Sequence, residues 1–116
     1  DLLEAVRKAS KRGYVLGLDQ RRILVDKDHK ALNYLLQGSA ACVAKMWMVI
    51  VHNHLLPDCH QLAFVHDELQ YECKPEMVED LKFLLELSAV QAGEHYNLRC
   101  PIAAEAKSGH NWADVH

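Results

Sequence analysis

The chain has 116 residues, of which 50% are apolar, and carries a net charge of −3. That length suits one small domain or part of a larger one, and the composition allows a real core. The four cysteines are irregularly spaced, without a C-x-x-C pair, so a reduced intracellular protein is expected rather than a disulfide scaffold. The longest apolar stretch, within residues 40–56, is interrupted by Lys45, His52 and His54, which argues against a membrane span.

The charges are unevenly distributed along the chain. Residues 1–30 hold eight Lys/Arg and five Asp/Glu, whereas residues 58–94 hold nine Asp/Glu and two Lys. A basic segment beside an acidic one is what a chain that contacts both phosphates and metal ions would need. Solvated helix faces explain the same charges, and from charge alone they are the simpler interpretation.

The first thirty residues predict a helix followed by a hairpin. Apolar residues repeat with helical spacing over about residues 2–12, and Gly13 can supply a left-handed C-cap. Two β-prone runs, residues 14–16 and 23–25, flank residues 17–20, which predicts an antiparallel hairpin.

A long helix and a second hairpin are predicted next. Residues 30–55 lack proline, and their apolar residues recur with helical spacing until Pro57 ends the pattern. Residues 61–73 alternate between apolar and polar on both sides of His66-Asp67-Glu68. This alternation predicts a hairpin with the polar tripeptide at its turn.

The C-terminal part predicts one more helix and a short strand. Pro75 fits the first turn of a helix that runs to about Gly93. Residues 102–106 suggest a strand, followed by a glycine turn and a terminal loop around Trp112. The predicted fold class is therefore α+β, with long helices packed on small antiparallel hairpins.

Four segments, in order, resemble motifs of the DNA polymerase I-like family A DNA polymerases. Val65-His66-Asp67-Glu68-Leu69 resembles the third polymerase motif, a hairpin that ends in His-Asp-Glu. Three further segments agree with it, and the four together are spread over nearly the whole chain: Gly17-Leu18-Asp19-Gln20-Arg21-Arg22, with Gln20 in place of the usual Gly, the Asn-x-x-x-Gln helix within residues 31–41, and Gly109-His110-Asn111-Trp112. The sequence around Asn33 and the sequence of residues 97–100 resemble those of the phage replicative branch of the family.

The resemblance implies that residues 1–116 are the C-terminal palm portion of an incomplete DNA polymerase domain. The family's first motif, with the other essential Asp, and the fingers helix that grips the nucleotide have no counterpart in this sequence. Asp1 also opens directly into a helical pattern, which favours a fragment. We therefore expect a DNA-directed DNA polymerase as the full-length parent, with no activity and a tendency to self-associate in the chain alone.

The candidate catalytic residues are His66, Asp67 and Glu68. Nucleotidyl transfer uses two divalent cations, and Mg²⁺ prefers carboxylate oxygens. A hairpin tip can lift such a carboxylate into a cleft. The resemblance implies that Asp67 is a metal ligand of a two-metal Mg²⁺ site, that Glu68 supports the metal more weakly, and that His66 lies near the primer terminus. A lone histidine is also commonly a structural hydrogen-bonding residue.

The candidate DNA-binding residues lie in the first half of the chain. Asn33 and Gln37 share one helix face off the apolar stripe, and the resemblance implies that they probe the minor groove of primer-template DNA. Arg22 matches a family arginine that contacts the primer-template. Arg21 and Lys30 are candidate phosphate contacts, although a solvated surface cation explains each of them equally well.

The remaining expectations concern partners, metals and alternatives. The expected partners are primer-template DNA and a dNTP, without a membrane, in the cytoplasm of a phage- or bacterium-encoded system. A cluster of zinc-capable side chains matches no finger spacing, and we interpret its members as surface helix-end and loop residues: His52, His54, Cys59 and His60. Two alternatives stay open: a stand-alone DNA- or protein-binding module without catalysis, and a structural helical domain in which His-Asp-Glu arose by chance.

Overall fold

The computed structural model describes all 116 residues as two compact units, Asp1–Val43 and Ala44–His116. Helices alternate with two separate two-stranded antiparallel sheets, which confirms the predicted α+β class. The elements are α1 (Leu2–Ser10), β1 (Tyr14–Leu16), β2 (Arg22–Leu24), α2 (Ala31–Asn53), β3 (Cys59–Val65), β4 (Glu68–Cys73) and α3 (Val78–His95). Short 3-10 turns cover Asp28–Lys30, Pro75–Met77 and Trp112–Val115.

Helix α1 begins with a reciprocal cap. The Asp1 side chain accepts a hydrogen bond from the Glu4 backbone N–H at 2.9 Å, and the Glu4 carboxylate lies 3.4 Å from the N-terminal ammonium. Two unpaired donors of the first turn are thereby satisfied. After the helix, Gly13 adopts a φ of 89° and turns the chain into β1, which is the left-handed conformation that the sequence predicted.

The core of the N-terminal unit forms between α1, the first hairpin and the start of α2. Val6, Val15 and Ala31 are buried there, one from each element. Gly38 lets the hairpin approach α2 closely, because a Cβ at this position would lie 2.8 Å from Ile23 Cδ1. The observed second strand, Arg22–Leu24, begins one residue before the predicted one.

Helix α2 lies close to its predicted span. Together with the preceding turn, the segment Asp28–Asn53 is long and apolar enough to cross a membrane by length and composition, a test that core helices of soluble proteins also pass. In the C-terminal unit, Trp47 Nε1 donates to the Leu85 carbonyl at 2.8 Å, so this half of α2 packs on α3. Val51, one turn further on, is fully buried.

The segment after α3 differs from its prediction. Residues 102–106 were expected as a strand, but they run as extended chain beside α3 and pair with no strand. A Cβ at Gly93 would lie 2.7 Å from Ile102, and the Ala106 N–H donates to Glu86 Oε1 at 3.1 Å. Residues 102, 104 and 106 are half-buried and residues 103 and 105 are exposed, an alternation of burial that a strand would also show, but here the segment lies beside α3.

Strand β3 contains a bulge that the alternating pattern did not reveal. The register passes from Gln61 opposite Tyr71 to Ala63 opposite Gln70, which leaves Leu62 unpaired and 61% exposed. The interpretation of the zinc-capable cluster as surface residues is confirmed for His52 and His54, which are exposed at the end of α2. For Cys59 and His60 it is wrong in part: both belong to β3, and Cys59 is buried, because pairing with β4 begins at this residue.

Candidate functional site

The turn between β3 and β4 presents the candidate catalytic residues. Val65 pairs with Glu68, so His66 and Asp67 form a two-residue turn and Glu68 is the first residue of β4 rather than part of the turn. His66 has a φ of 57°, in the left-handed region that favours glycine. Residues other than glycine keep such strained conformations where the surrounding structure imposes them, and functional sites are enriched in them.

The Asp67 carboxylate projects from the tip without a protein partner. Its side chain is exposed, and none of the chain's four ion pairs includes it. Its oxygens are therefore available to an external ligand.

The Glu68 carboxylate, by contrast, is already engaged. His116 Nε2 lies 2.9 Å from Glu68 Oε2, and Gln70 Nε2 donates to the same oxygen at 3.0 Å. The hydrogen bond with His116 is the main reason why the pKa of Glu68 lies below its ordinary value. The His116 ring hydrogen-bonds the Trp112 carbonyl at 3.0 Å and stacks on the Trp112 ring at 4.5 Å. The Trp112 carbonyl first, and Glu68 second, raise the pKa of His116.

The Gly-x-Asn-Trp segment shapes the turn that places His116. A Cβ at Gly109 would lie 2.3 Å from Asp114 Cβ, so only glycine fits. The Asn111 side chain accepts from the Asp114 N–H at 3.1 Å, and the His110 N–H donates to Asp114 Oδ2 at 2.9 Å. These bonds build a 3-10 turn at Trp112–Val115, where the sequence predicted a loop. His116 was not a predicted site residue, because its contact with Glu68 spans 48 positions.

The first hairpin and α2 carry the candidate DNA-binding residues. Asn33 and Gln37 are exposed on the same face of α2. The Arg22 guanidinium lies over the Tyr14 ring at 4.8 Å, and that of Arg12 lies over the same ring at 4.4 Å. Cation–π contacts therefore orient Arg22, and Tyr14 is a supporting residue that the sequence reasoning missed.

The two candidate phosphate contacts differ in their surroundings. The Arg21 side chain pairs with the Asp19 carboxylate, and this contact lowers the pKa of Asp19. A phosphate at Arg21 would compete with that carboxylate. Lys30 is half-buried at the end of the 3-10 turn that precedes α2, and no ion pair includes it.

Within the C-terminal unit, the structure thus brings His66, Asp67 and Glu68 together at one hairpin tip. No three His, Cys, Asp or Glu side chains of the chain are grouped where they could hold a metal ion by themselves. Asp67 and Glu68 can supply two carboxylates to a metal, and further ligands would have to come from elsewhere.

The family model described as DNA polymerase family A matches residues 3–114. The chain belongs to this family. A DNA-directed DNA polymerase of Escherichia phage Phieco32 is 34% identical over 99% of the chain and 20% of its own length. The DNA-directed DNA polymerase of Escherichia phage T7 is 34% identical over 91% of the chain and 16% of its own length. Both the predicted family and the expected phage relatives are confirmed.

A solved family A structure has the same fold. The POL domain of Pol1 from M. smegmatis, in complex with DNA primer-template and dNTP, superposes with a TM-score of 0.72 and 27% identity. The match covers 86% of this chain and 20% of that one. The chain thus spans a fifth or less of the length of the polymerases it matches.

Proposed function

We propose that this chain is the C-terminal palm portion of a DNA-directed DNA polymerase and contributes to template-directed nucleotidyl transfer in the parent enzyme. The observation that carries the proposal is the exposed, unpaired Asp67 carboxylate at the tip of a hairpin, in a chain that belongs to DNA polymerase family A. The Pol1 neighbour was solved with DNA primer-template and dNTP, which supports these as the partners of the parent enzyme.

Asp67 fits a Mg²⁺ ligand because it offers hard oxygen atoms that no protein group occupies. Glu68 fits a weaker ligand, since its carboxylate already accepts hydrogen bonds from His116 and Gln70. Asp67 and Glu68 would hold part of a two-metal site, which would supply activation of the primer hydroxyl and stabilisation of the charge on the leaving pyrophosphate. The contacts from His116 and Gln70 fix the Glu68 carboxylate beside the turn, and the other ligands come from parts of the parent outside this chain.

His66 is proposed to lie near the primer terminus. The left-handed backbone at this position leaves its ring exposed at the tip, next to Asp67. The ring can there hydrogen-bond the end of the primer and orient it relative to the Asp67 carboxylate.

A separate group of residues is proposed to hold the primer-template in the minor groove. Asn33 and Gln37 present amide donors, and Arg22 presents a guanidinium anchored on Tyr14. The minor groove offers acceptors at A N3 and T O2 with little sequence information, so such donors can sense base-pair geometry without selecting a sequence. Arg21 and Lys30 are proposed to contact phosphates, and Asp19 weakens the contribution of Arg21.

The isolated chain is proposed to be inactive, because it supplies only part of the metal site. It leaves large apolar side chains exposed, among them Leu24 at 80%, Phe83 at 68% and Leu62 at 61%, which supports self-association of the chain alone. The parent is proposed to act in the cytoplasm of a bacterial cell, encoded by a phage or the bacterium, in keeping with the phage polymerases among its relatives.

Primer extension with Mg²⁺ tests the proposal in the parent-length protein. We expect extension by the parent, none by the 116-residue chain, and strongly reduced extension by the parent with Asp67→Ala. Glu72→Ala is the matched control, since Glu72 is an exposed carboxylate on the same hairpin. Equal extension by the Asp67→Ala and Glu72→Ala parents would refute the role of Asp67. DNA binding by a parent that never extends a primer would favour the binding module instead.

A further inference from the structure

Two free cysteines face each other at the open end of the β3–β4 hairpin. Cys59 and Cys73 are direct cross-strand partners, and theirs is the last pair of the ladder. Side chains of direct partners lie on the same face of the sheet, with Cβ atoms about 4.5–5.5 Å apart. Disulfides join residues whose Cα atoms are roughly 4.4–6.8 Å apart, a separation typical of such partners. Burial first, and the neighbouring Cys73 second, raise the pKa of the Cys59 thiol.

The two strand ends lie side by side while the cysteines are reduced. Lys74 Nζ lies 3.2 Å from Asp58 Oδ2, and these two residues adjoin the cysteine pair directly. The ion pair is exposed and therefore weak, but it shows that the chain on both sides of the cysteine pair is close together. Joining the two sulfur atoms would therefore need little movement of the backbone.

We propose that Cys59 and Cys73 form a reversible cross-strand disulfide, a redox modification site at the base of the hairpin whose tip carries Asp67. The oxidant is a low-molecular-weight disulfide of the glutathione class. The Cys73 thiolate attacks one of its sulfurs, forms a mixed disulfide and releases one thiol. Cys59 then attacks the Cys73 sulfur, forms the protein disulfide and releases the second thiol. The protein loses two electrons and two thiol protons, and the oxidant becomes two thiols.

Accessibility sets the order of these two steps. Cys59 is only 3% exposed and burial raises the pKa of its thiol, so it reacts poorly with an external oxidant and is the thiol that reacts second, within the protein. Cys73 is half-buried and can be reached by the oxidant first. The other two cysteines provide internal references: Cys100 is exposed, and Cys42 is buried in α2.

The proposed link would enclose the catalytic turn in a covalent loop. It would join residues 59 and 73, and therefore fix the register of the strand pairs between the link and the bulge at Leu62. A loop of this length restricts the unfolded chain enough to raise the unfolding temperature by roughly 10 °C. The inference does not depend on the proposed polymerase function, because it concerns only the hairpin.

The test equilibrates the 116-residue chain in buffers of oxidised and reduced glutathione, followed by acid trapping, alkylation and peptide mass spectrometry. We expect the disulfide between Cys59 and Cys73 in at least about tenfold excess over glutathione bound to Cys73. The Cys59 thiol lies directly opposite Cys73, so its effective concentration there is high. Cys100 should carry glutathione only. The oxidised chain should unfold at a higher temperature than the reduced one.

Variants separate the proposed pair from general thiol reactivity. Cys42→Ala should form the same link, whereas Cys59→Ala should leave glutathione on Cys73 and lose the rise in unfolding temperature. Three results would each overturn the proposal. They are stable glutathione on Cys73 in the unmodified sequence, disulfide links to Cys42 or Cys100, and equal unfolding temperatures for the oxidised and reduced chains.

Discussion

Replacing Gln20 by glycine should stabilise the first hairpin. Gln20 has a φ of 68° in the turn where its N–H donates to the Gly17 carbonyl at 3.0 Å. Its side chain is exposed, so its removal leaves no cavity, and the backbone hydrogen bond is retained in Gln20→Gly. The substitution therefore changes mainly the conformational cost of the left-handed backbone.

The size of the effect follows from two opposing terms. The left-handed conformation costs a residue with a Cβ about 1–2 kcal/mol. The greater freedom of glycine in the unfolded chain offsets about 0.5–1 kcal/mol of that gain. The net stabilisation is roughly 0.5–1 kcal/mol, which corresponds to a two- to fivefold shift in the opening equilibrium.

Amide hydrogen exchange measures this shift locally. The Gly17 N–H donates to the Arg21 carbonyl at 2.8 Å across the turn, and its protection should rise about two- to fivefold in Gln20→Gly. Gln20→Ala is the matched control: it also removes the long side chain but keeps the Cβ, so it should bring no gain. Equal protection in Gln20→Gly and Gln20→Ala, or a loss in Gln20→Gly, would refute the reasoning.

Three further predictions follow from the site and the exposed surface. The contact between Glu68 and His116 needs an ionised carboxylate and a protonated ring, so its full contribution to stability should be present between pH 4.5 and 6.5, their ordinary pKa values. The contact weakens as pH falls through the lowered pKa of Glu68 and as pH rises through the raised pKa of His116. An NMR titration of the His116 ring should show both transitions. A single transition at the ordinary pKa of histidine would contradict the contact. Phe83→Glu should reduce self-association of the chain in sedimentation experiments, because Phe83 is 68% exposed, whereas Lys82→Glu beside it should have a smaller effect. In the parent enzyme, Asn33→Ala should weaken primer-template binding by a similar factor for all sequences, and loss restricted to some base pairs would argue against a minor-groove contact.

The local elements could be predicted because their signals are local. The uninterrupted helical repeat predicted α2 to within about two residues at each end, and the polar tripeptide located the turn, although its third residue, Glu68, belongs to β4. The strand predicted at residues 102–106 was wrong, because the segment lies beside α3, where the Ala106 N–H bonds Glu86, and a local sequence does not reveal whether a partner strand is present.

The contacts between distant residues could not be predicted. The link between Glu68 and His116 depends on where the fold places two residues that are far apart in sequence. The bulge at Leu62 depends on the register of the partner strand, which a single alternating pattern does not contain. For the candidate site, the sequence therefore indicated candidate residues for DNA and metal contacts, but not the neighbours that the structure places beside them.

The most direct test of the central claim is single-turnover incorporation of the next correct nucleotide by the parent-length enzyme with Asp67→Ala. Saturating primer-template and dNTP make the measured rate report the bound complex rather than binding. Loss of a metal ligand should remove several kcal/mol of transition-state stabilisation, which lowers the rate by about a thousandfold while primer-template affinity stays within about twofold. A rate within tenfold of the unmodified enzyme would contradict the claim that this chain supplies a metal ligand to nucleotidyl transfer.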